Sequence, residues 1–137
     1  MKALIDTNII LDLLCDRKEF VADASRLFKL CEVKKIEGVV SALSIPNIVY
    51  IMRKELDGEK IREIIARLSM IFTFADLKAD DIQKAAALPM NDFEDALQSV
   101  CAQRVKADYI VTRNLKDFTH SRVAAVKPSE LFDRMEA

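Results

Sequence analysis

The sequence predicts an α/β fold, a single-domain α/β/α sandwich built on a parallel sheet of four to five strands. Three observations carry that expectation. Short apolar runs without polar alternation (Lys2–Ile5, Gly38–Ser41, Ile71–Ala75, Tyr109–Val111) read as strands buried on both faces. Segments of helical period lie between them. A chain of 137 residues, 51% hydrophobic and 31% charged, has enough apolar surface for one core and too little length for two domains.

Taken in order, Lys2–Ile5 ends in Asp6-Thr7-Asn8, a strand delivering its end to a helix start. Ile9–Leu14 is that helix, capped by Thr7 or Asn8. From Phe20 to Val33 the residues Val21, Ala24, Leu27, Phe28 and Cys31 form a helical stripe. Gly38–Ser41 is a second strand. Ser44–Leu56 (Ile45, Ile48, Val49, Met52) and Glu59–Met70 (Ile61, Ile64, Ile65, Leu68) are amphipathic helices meeting at Asp57-Gly58. Ile71–Ala75 is the third strand, and Asp80–Leu88 an alanine-rich helix stopped by Pro89. Asp92–Val105 is a helix with Phe93, Ala96, Leu97, Val100 and Cys101 on its inner face. Tyr109–Val111 is the fourth strand, and Val123–Val126 an edge strand before Pro128 opens a last short helix.

Composition removes several function classes. Two glycines, Gly38 and Gly58, build neither a dinucleotide fingerprint nor a Walker A loop. A lone histidine, His120, excludes multi-histidine zinc centres. Cys15, Cys31 and Cys101 form no C-x-x-C pair and read as reduced core thiols. Asp6 and Asp12 break the N-terminal apolar run, and no segment approaches the ~18 apolar residues of a membrane helix, so a cytoplasmic protein without membrane contact is expected. The net charge of −1 hides an asymmetry: Asp76–Asp95 carries six acids against two lysines, Gln98–Lys127 six bases against two acids. An acidic pocket rimmed by bases suits metal ions and a polyanionic substrate. The phenylalanines and Tyr50 and Tyr109 fall mostly in apolar stripes, which reads as core packing rather than base stacking.

Parallel sheets bind ligands beyond the carboxyl ends of their strands. Asp6, Thr7 and Asn8 follow the first strand; Ser41, Ser44 and Asn47 the second; Thr112, Arg113, Asn114 and Asp117 the fourth. Asp92, Glu94 and Asp95 open a helix. These donors are oxygen and amide alone, an inventory for Mg²⁺ or Mn²⁺ rather than zinc. Each also has a plain reading: Asp92 and Asp95 as a reciprocal helix cap, Asp6 as a turn acid, Asp117 as a solvated loop residue, Asn8 and Asn47 as caps. Convergence separates the readings, because packed carboxylates raise one another's pKa until a divalent cation relieves them. A receiver domain needs an aspartate after a central strand, absent from Ser41–Asn47, and a haloacid-dehalogenase-type phosphatase needs Asp-x-Asp where this chain has Asp6-Thr7-Asn8.

Together, Leu4-Ile5-Asp6-Thr7-Asn8, Asp92-Phe93-Glu94-Asp95-Ala96 and the stretch from Ile110 to Phe118 resemble PIN-domain proteins, and within them the bacterial VapC-like toxins, from about Met1 to Phe132. The resemblance implies a Mg²⁺- or Mn²⁺-dependent ribonuclease, a homodimer silenced by a cognate antitoxin. By position it implies Asp6, Asp95 and Asp117 as catalytic metal ligands, with Asn8, Asn47, Asp92, Thr112 and Asn114 in support. Arg113 and Lys116 are then expected on the RNA backbone. The chain departs from the pattern at Asn47, the nearest polar match to a glutamate of many relatives, and at Asn114, where some carry aspartate. Glu94 is expected to point roughly 100° away from Asp95 on the helix. A catalytically depleted PIN fold that binds RNA or a protein is the alternative, and RNA affinity without metal is its signature.

Overall fold

Five stretches pair into one sheet in the computed structural model, which describes residues 1–136. They are β1 (Lys2–Ile5), β2 (Glu37–Ser41), β3 (Thr73–Ala75), β4 (Tyr109–Val111) and β5 (Ala125–Val126). The order is β3-β2-β1-β4-β5 and every pairing is parallel. Helices α1 (Thr7–Leu14), α2 (Val21–Glu32), α3 (Ser44–Met52), α4 (Gly58–Ile71), α5 (Ala79–Ala86), α6 (Phe93–Arg104) and α7 (Pro128–Glu136) make the connections, with a 3₁₀ turn at Leu115–Phe118.

Alternation along the strands divides the core into two layers. Ala3, Ile5, Val40, Val111 and Val126 pack with Leu27, Phe28, Ile48, Leu68 and Leu131 from α2, α3, α4 and α7. Leu4, Val39 and Ile110 point the other way, onto Cys101 and Ala102 of α6 and onto Phe118. Helix α6 is enclosed: Ala96 to Ala102 are all buried, because α5 covers through Ala85 the side that the sheet does not. Phe93 departs from its expected inward face and is 45% exposed, since the first turn of α6 projects beyond both neighbours.

Element ends shift for local reasons. Asp6 occupies the cap position of α1, and Thr7 bonds Ser44 across 2.7 Å instead of capping. Helix α3 ends at Met52 rather than Leu56. Asp57 caps α4 by accepting from Lys60 N–H at 2.9 Å. That helix continues through Ile71, in period with Leu68, so β3 starts only at Thr73. Gly38 is a close-approach site: a β-carbon there would lie 2.7 Å from both Cys31 Sγ and Phe72 Cδ1.

All three cysteines are free, and burial pushes the Cys31 thiol up to about 12 and raises that of Cys101. Among the described residues no helix is long and apolar enough to cross a membrane. From β1 the chain moves out to β2 and β3, then returns to β4 on the other side of β1. Such a reversal opens a crevice at the carboxyl ends of β1 and β4.

Candidate functional site

Two cavities of similar size lie near these strand ends, about 360 and 380 Å³. The first holds Asp12, Glu19 and Asp23 beside the bases Arg113 and Lys127, and only the second gathers the candidate carboxylates. Its walls hold Asp6, Asn8, Asn47, Asp92, Glu94, Asp95, Asn114 and Asp117, and no lysine, arginine or histidine.

Asp6 forms the floor. Its own N–H continues the β1–β4 ladder to Val111 C=O at 3.0 Å, which fixes the carboxylate at the crevice. Only 5% exposed, it accepts from Gln98 Nε2 at Oδ1 and from Thr112 Oγ1 at Oδ2, both at 2.8 Å. Burial raises its pKa, and hydrogen bonds from Thr112 and Gln98 offset only part of that. Thr112 itself is fully buried beneath the cleft, its Oγ1 also accepting the Asn114 N–H at 3.1 Å, so it fixes both Asp6 and the turn after β4.

Helix α6 aims its N-terminus at the same place. Asp92 caps it by accepting from Asp95 N–H at 3.0 Å, as the capping reading expects, and still lines the cleft. Asp95 is half-buried, and its pKa is pushed up to about 7 by desolvation and then by the charges of Asp92, Asp6, Asp117 and Glu94. Five carboxylates from β1, α6 and the turn after β4 thus share one electrostatic neighbourhood.

Some side chains stand elsewhere than the sequence suggests. Glu94 is not turned away from Asp95's cleft: its long side chain reaches across to accept from Asn47 Nδ2 at 3.2 Å. Arg113, expected on the RNA backbone, is engaged within the fold. Its Nε and Nη2 fork onto the buried Asp12 at 2.8 and 3.1 Å, its guanidinium stacks on Phe20 at 3.8 Å, and it lines the other cavity. Lys116 lies beside the acidic cleft, in a small hollow of about 100 Å³ shared with His120, Asp92 and Asp117. Tyr50, read as core, is 64% exposed on the cleft wall.

Gln98 was missed, although it follows Asp95 by three residues and so shares its helix face. It is 4% exposed, and its Oε1 is a buried polar atom without a hydrogen-bond partner. Asp12 was missed as well. Fully buried on α1, it is bridged by Arg17 at 3.2 Å and by Arg113, a tie between α1 and the turn after β4.

Among the described residues no three His, Cys, Asp or Glu side chains close directly around a point as a ready-made ion cage. The donors fit a hard cation that keeps part of its water shell, as Mg²⁺ does.

Comparison with known proteins gives the fold relatives. No curated protein matches the sequence. VapBC2 from Rickettsia felis, solved bound to a promoter DNA fragment, superposes with a TM-score of 0.72 at 16% identity, over 93% of this chain and 98% of that one. A toxin–antitoxin complex from Klebsiella pneumoniae gives 0.70 at 22% identity, over 92% and 97%. Mycobacterium tuberculosis VapC20, a sarcin–ricin-loop-cleaving toxin, gives 0.62 at 16%, over 79% and 86%. At these identities the likeness speaks for the fold. The sequence match is separate and spans residues 2–116, from the first residue of β1 into the 3₁₀ turn after β4, ending just before Asp117: this chain belongs to the PIN-domain family.

Proposed function

We propose that the protein is a metal-dependent ribonuclease and the toxin of a toxin–antitoxin pair. One observation carries the reading: five carboxylates from three elements face one cleft whose walls hold no basic side chain. Such an arrangement opposes folding unless a cation is part of the working state. Family membership and the solved toxin relatives support the same reading.

Asp6, Asp95 and Asp117 would hold Mg²⁺ or Mn²⁺, partly through water, and the ion when bound supplies Lewis-acid polarisation of a phosphodiester. The chain's own residues do the rest. Gln98 and Thr112 each bond a different Asp6 oxygen, which holds the carboxylate in place on the floor of the cleft. Glu94, joined to Asn47, returns to that wall the negative charge that Asn47 lacks. Asn8 and Asn114 offer amides to water or to a phosphate oxygen. Lys116 stands beside Asp117 in the adjoining hollow, where a strand leaving the carboxylates meets a positive charge. An antitoxin segment with a basic side chain would neutralise the cleft as a cation does, and a homodimer is the proposed assembly.

A depleted, binding-only PIN fold is the second reading, favoured by the separation of the carboxylates. Calorimetric titration of Mn²⁺ and Mg²⁺ into the wild type and Asp95→Asn decides between them, together with cleavage of a pooled RNA library by wild type and Asp6→Asn. The nuclease binds the ion saturably, loses binding in Asp95→Asn, and loses cleavage at least a hundredfold in Asp6→Asn, about 3 kcal/mol of barrier. Tight RNA binding in chelator, with no cleavage under either ion, establishes the binding module instead.

A further inference from the structure

The α3 wall of the acidic cleft is unlike its other walls. Asn47, Tyr50 and Ile51 stand at i, i+3 and i+4, one helix face, while Ile48 and Met52 of the same helix are buried in the core. Tyr50 is therefore a large aromatic left in solvent beside charged groups, 64% exposed where burying its ring would gain stability. Its ring is also held. The guanidinium carbon of Arg53 lies 3.6 Å from the ring centroid, and Arg53 Nη1 donates to the Tyr50 carbonyl, which ties the arginine over one face. The other face has no such partner.

We propose that Tyr50, backed by Arg53, is the stacking platform for an unpaired base of the nucleic acid whose phosphate lies over the carboxylates. The inference rests on the ribonuclease reading and adds the residue that seats an unpaired base. A flat π face accepts any base, and stacking on an aromatic side chain is a main source of affinity for single strands. Bases paired inside a duplex cannot present their faces to it. Position supports the assignment: Tyr50 lies three residues, about 4.5 Å along α3, beyond Asn47, whose amide holds Glu94 at the carboxylates. A nucleotide spans that distance from phosphate to base. Arg53 adds positive charge on a side of the cleft that otherwise has none.

The chain contains no tryptophan and two tyrosines, so tyrosine emission reports the contact directly. In Tyr109→Phe the emission belongs to Tyr50 alone. That protein is titrated in Ca²⁺ with a pool of unstructured RNA dodecamers, with the same sequences annealed as duplexes, and with abasic dodecamers, binding being followed in parallel by anisotropy of a labelled strand. The single strands quench Tyr50 emission; duplex and abasic strands leave it. Tyr50→Ala weakens single-strand binding by roughly tenfold, and Tyr50→Phe retains it within about twofold. Binding without quenching, equal quenching by duplex, an unchanged affinity in Tyr50→Ala, or no binding at all each overturns the proposal. So does a fall in sedimentation coefficient in Tyr50→Ala, which assigns the side chain to a protein interface. None of these readouts requires cleavage, so failure of the nuclease reading, seen as absent metal-dependent cutting by the wild type, is recorded separately.

Discussion

Asp12 shows how much of the site depends on a residue outside it. Its buried carboxylate takes two bonds from Arg113 and one from Arg17, joining the second turn of α1 to the segment that carries Asn114 and Asp117. Removing one member of a buried, bidentate pair strands the other without its partner. Asp12→Ala is expected to lower unfolding free energy by about 3 kcal/mol in urea denaturation, and Arg113→Lys, which keeps the charge and loses the fork, by about 1 kcal/mol. Gln98 is the counterpart within the site. Its Nε2 is committed to Asp6, while its Oε1 faces buried surroundings without a donor. That amide is there to hold the carboxylate, at a cost to the fold.

At the scale of elements, Gly38 sets the distance between β2 and the layer above it. A β-carbon would enter the space of Cys31 Sγ and the Phe72 ring, which is itself packed edge-on against Phe28 at 5.0 Å. Gly38→Ala is expected to destabilise by about 1–3 kcal/mol through overpacking, read as a lowered midpoint in urea with an unchanged slope. Legibility followed the same local logic. Apolar runs, helical stripes, caps and prolines named the five strands and seven α-helices of the described residues but not the 3₁₀ turn at Leu115–Phe118; burial on both faces of a parallel sheet leaves the strands a continuous apolar signature. Asp6, Asp95 and Asp117 were readable as strand-end and helix-start acids. Phe93 and Tyr50 were not, since helical period gives a direction around the axis but not where a neighbouring layer stops. Nor was the Asp12–Arg113 pair, 101 residues apart in sequence, for which no local rule exists.

For the whole molecule, the carboxylate cluster links stability to pH and to cation. Asp95 binds its proton more tightly folded than unfolded, with a folded pKa of about 7 against an ordinary 3.8. The metal-free protein therefore loses stability as pH rises from about 4 through about 7, and the penalty is complete above that. Asp6, also raised, acts in the same direction. On the proposed reading a cation competes with the same proton, so its affinity is expected to grow over the same range. Calorimetric melting at about pH 5 and pH 8 should show the metal-free midpoint falling and the Mn²⁺-induced rise widening. Asp95→Asn should raise the metal-free midpoint at pH 8 by roughly 3–5 °C, about 1 kcal/mol after screening of a half-exposed group, and abolish the metal-induced rise.

The order in which the cleft's parts leave the ribosome follows from the β3-β2-β1-β4-β5 sheet. Asp6 is made well before its two hydrogen-bond donors, residues 98 and 112, and before residue 117, which shares its cleft. At roughly 5–20 residues per second, about 5–20 s separate the first acid of the cleft from the last. During that interval β1 lacks its β4 neighbour and the crevice has only one wall. If the completed cleft cuts RNA as proposed, the growing chain has no assembled site with which to act on the message and the ribosome that are producing it. On the proposed reading, the topology thus delays activity until β4 and the turn after it have been made, a form of self-protection that requires no second protein.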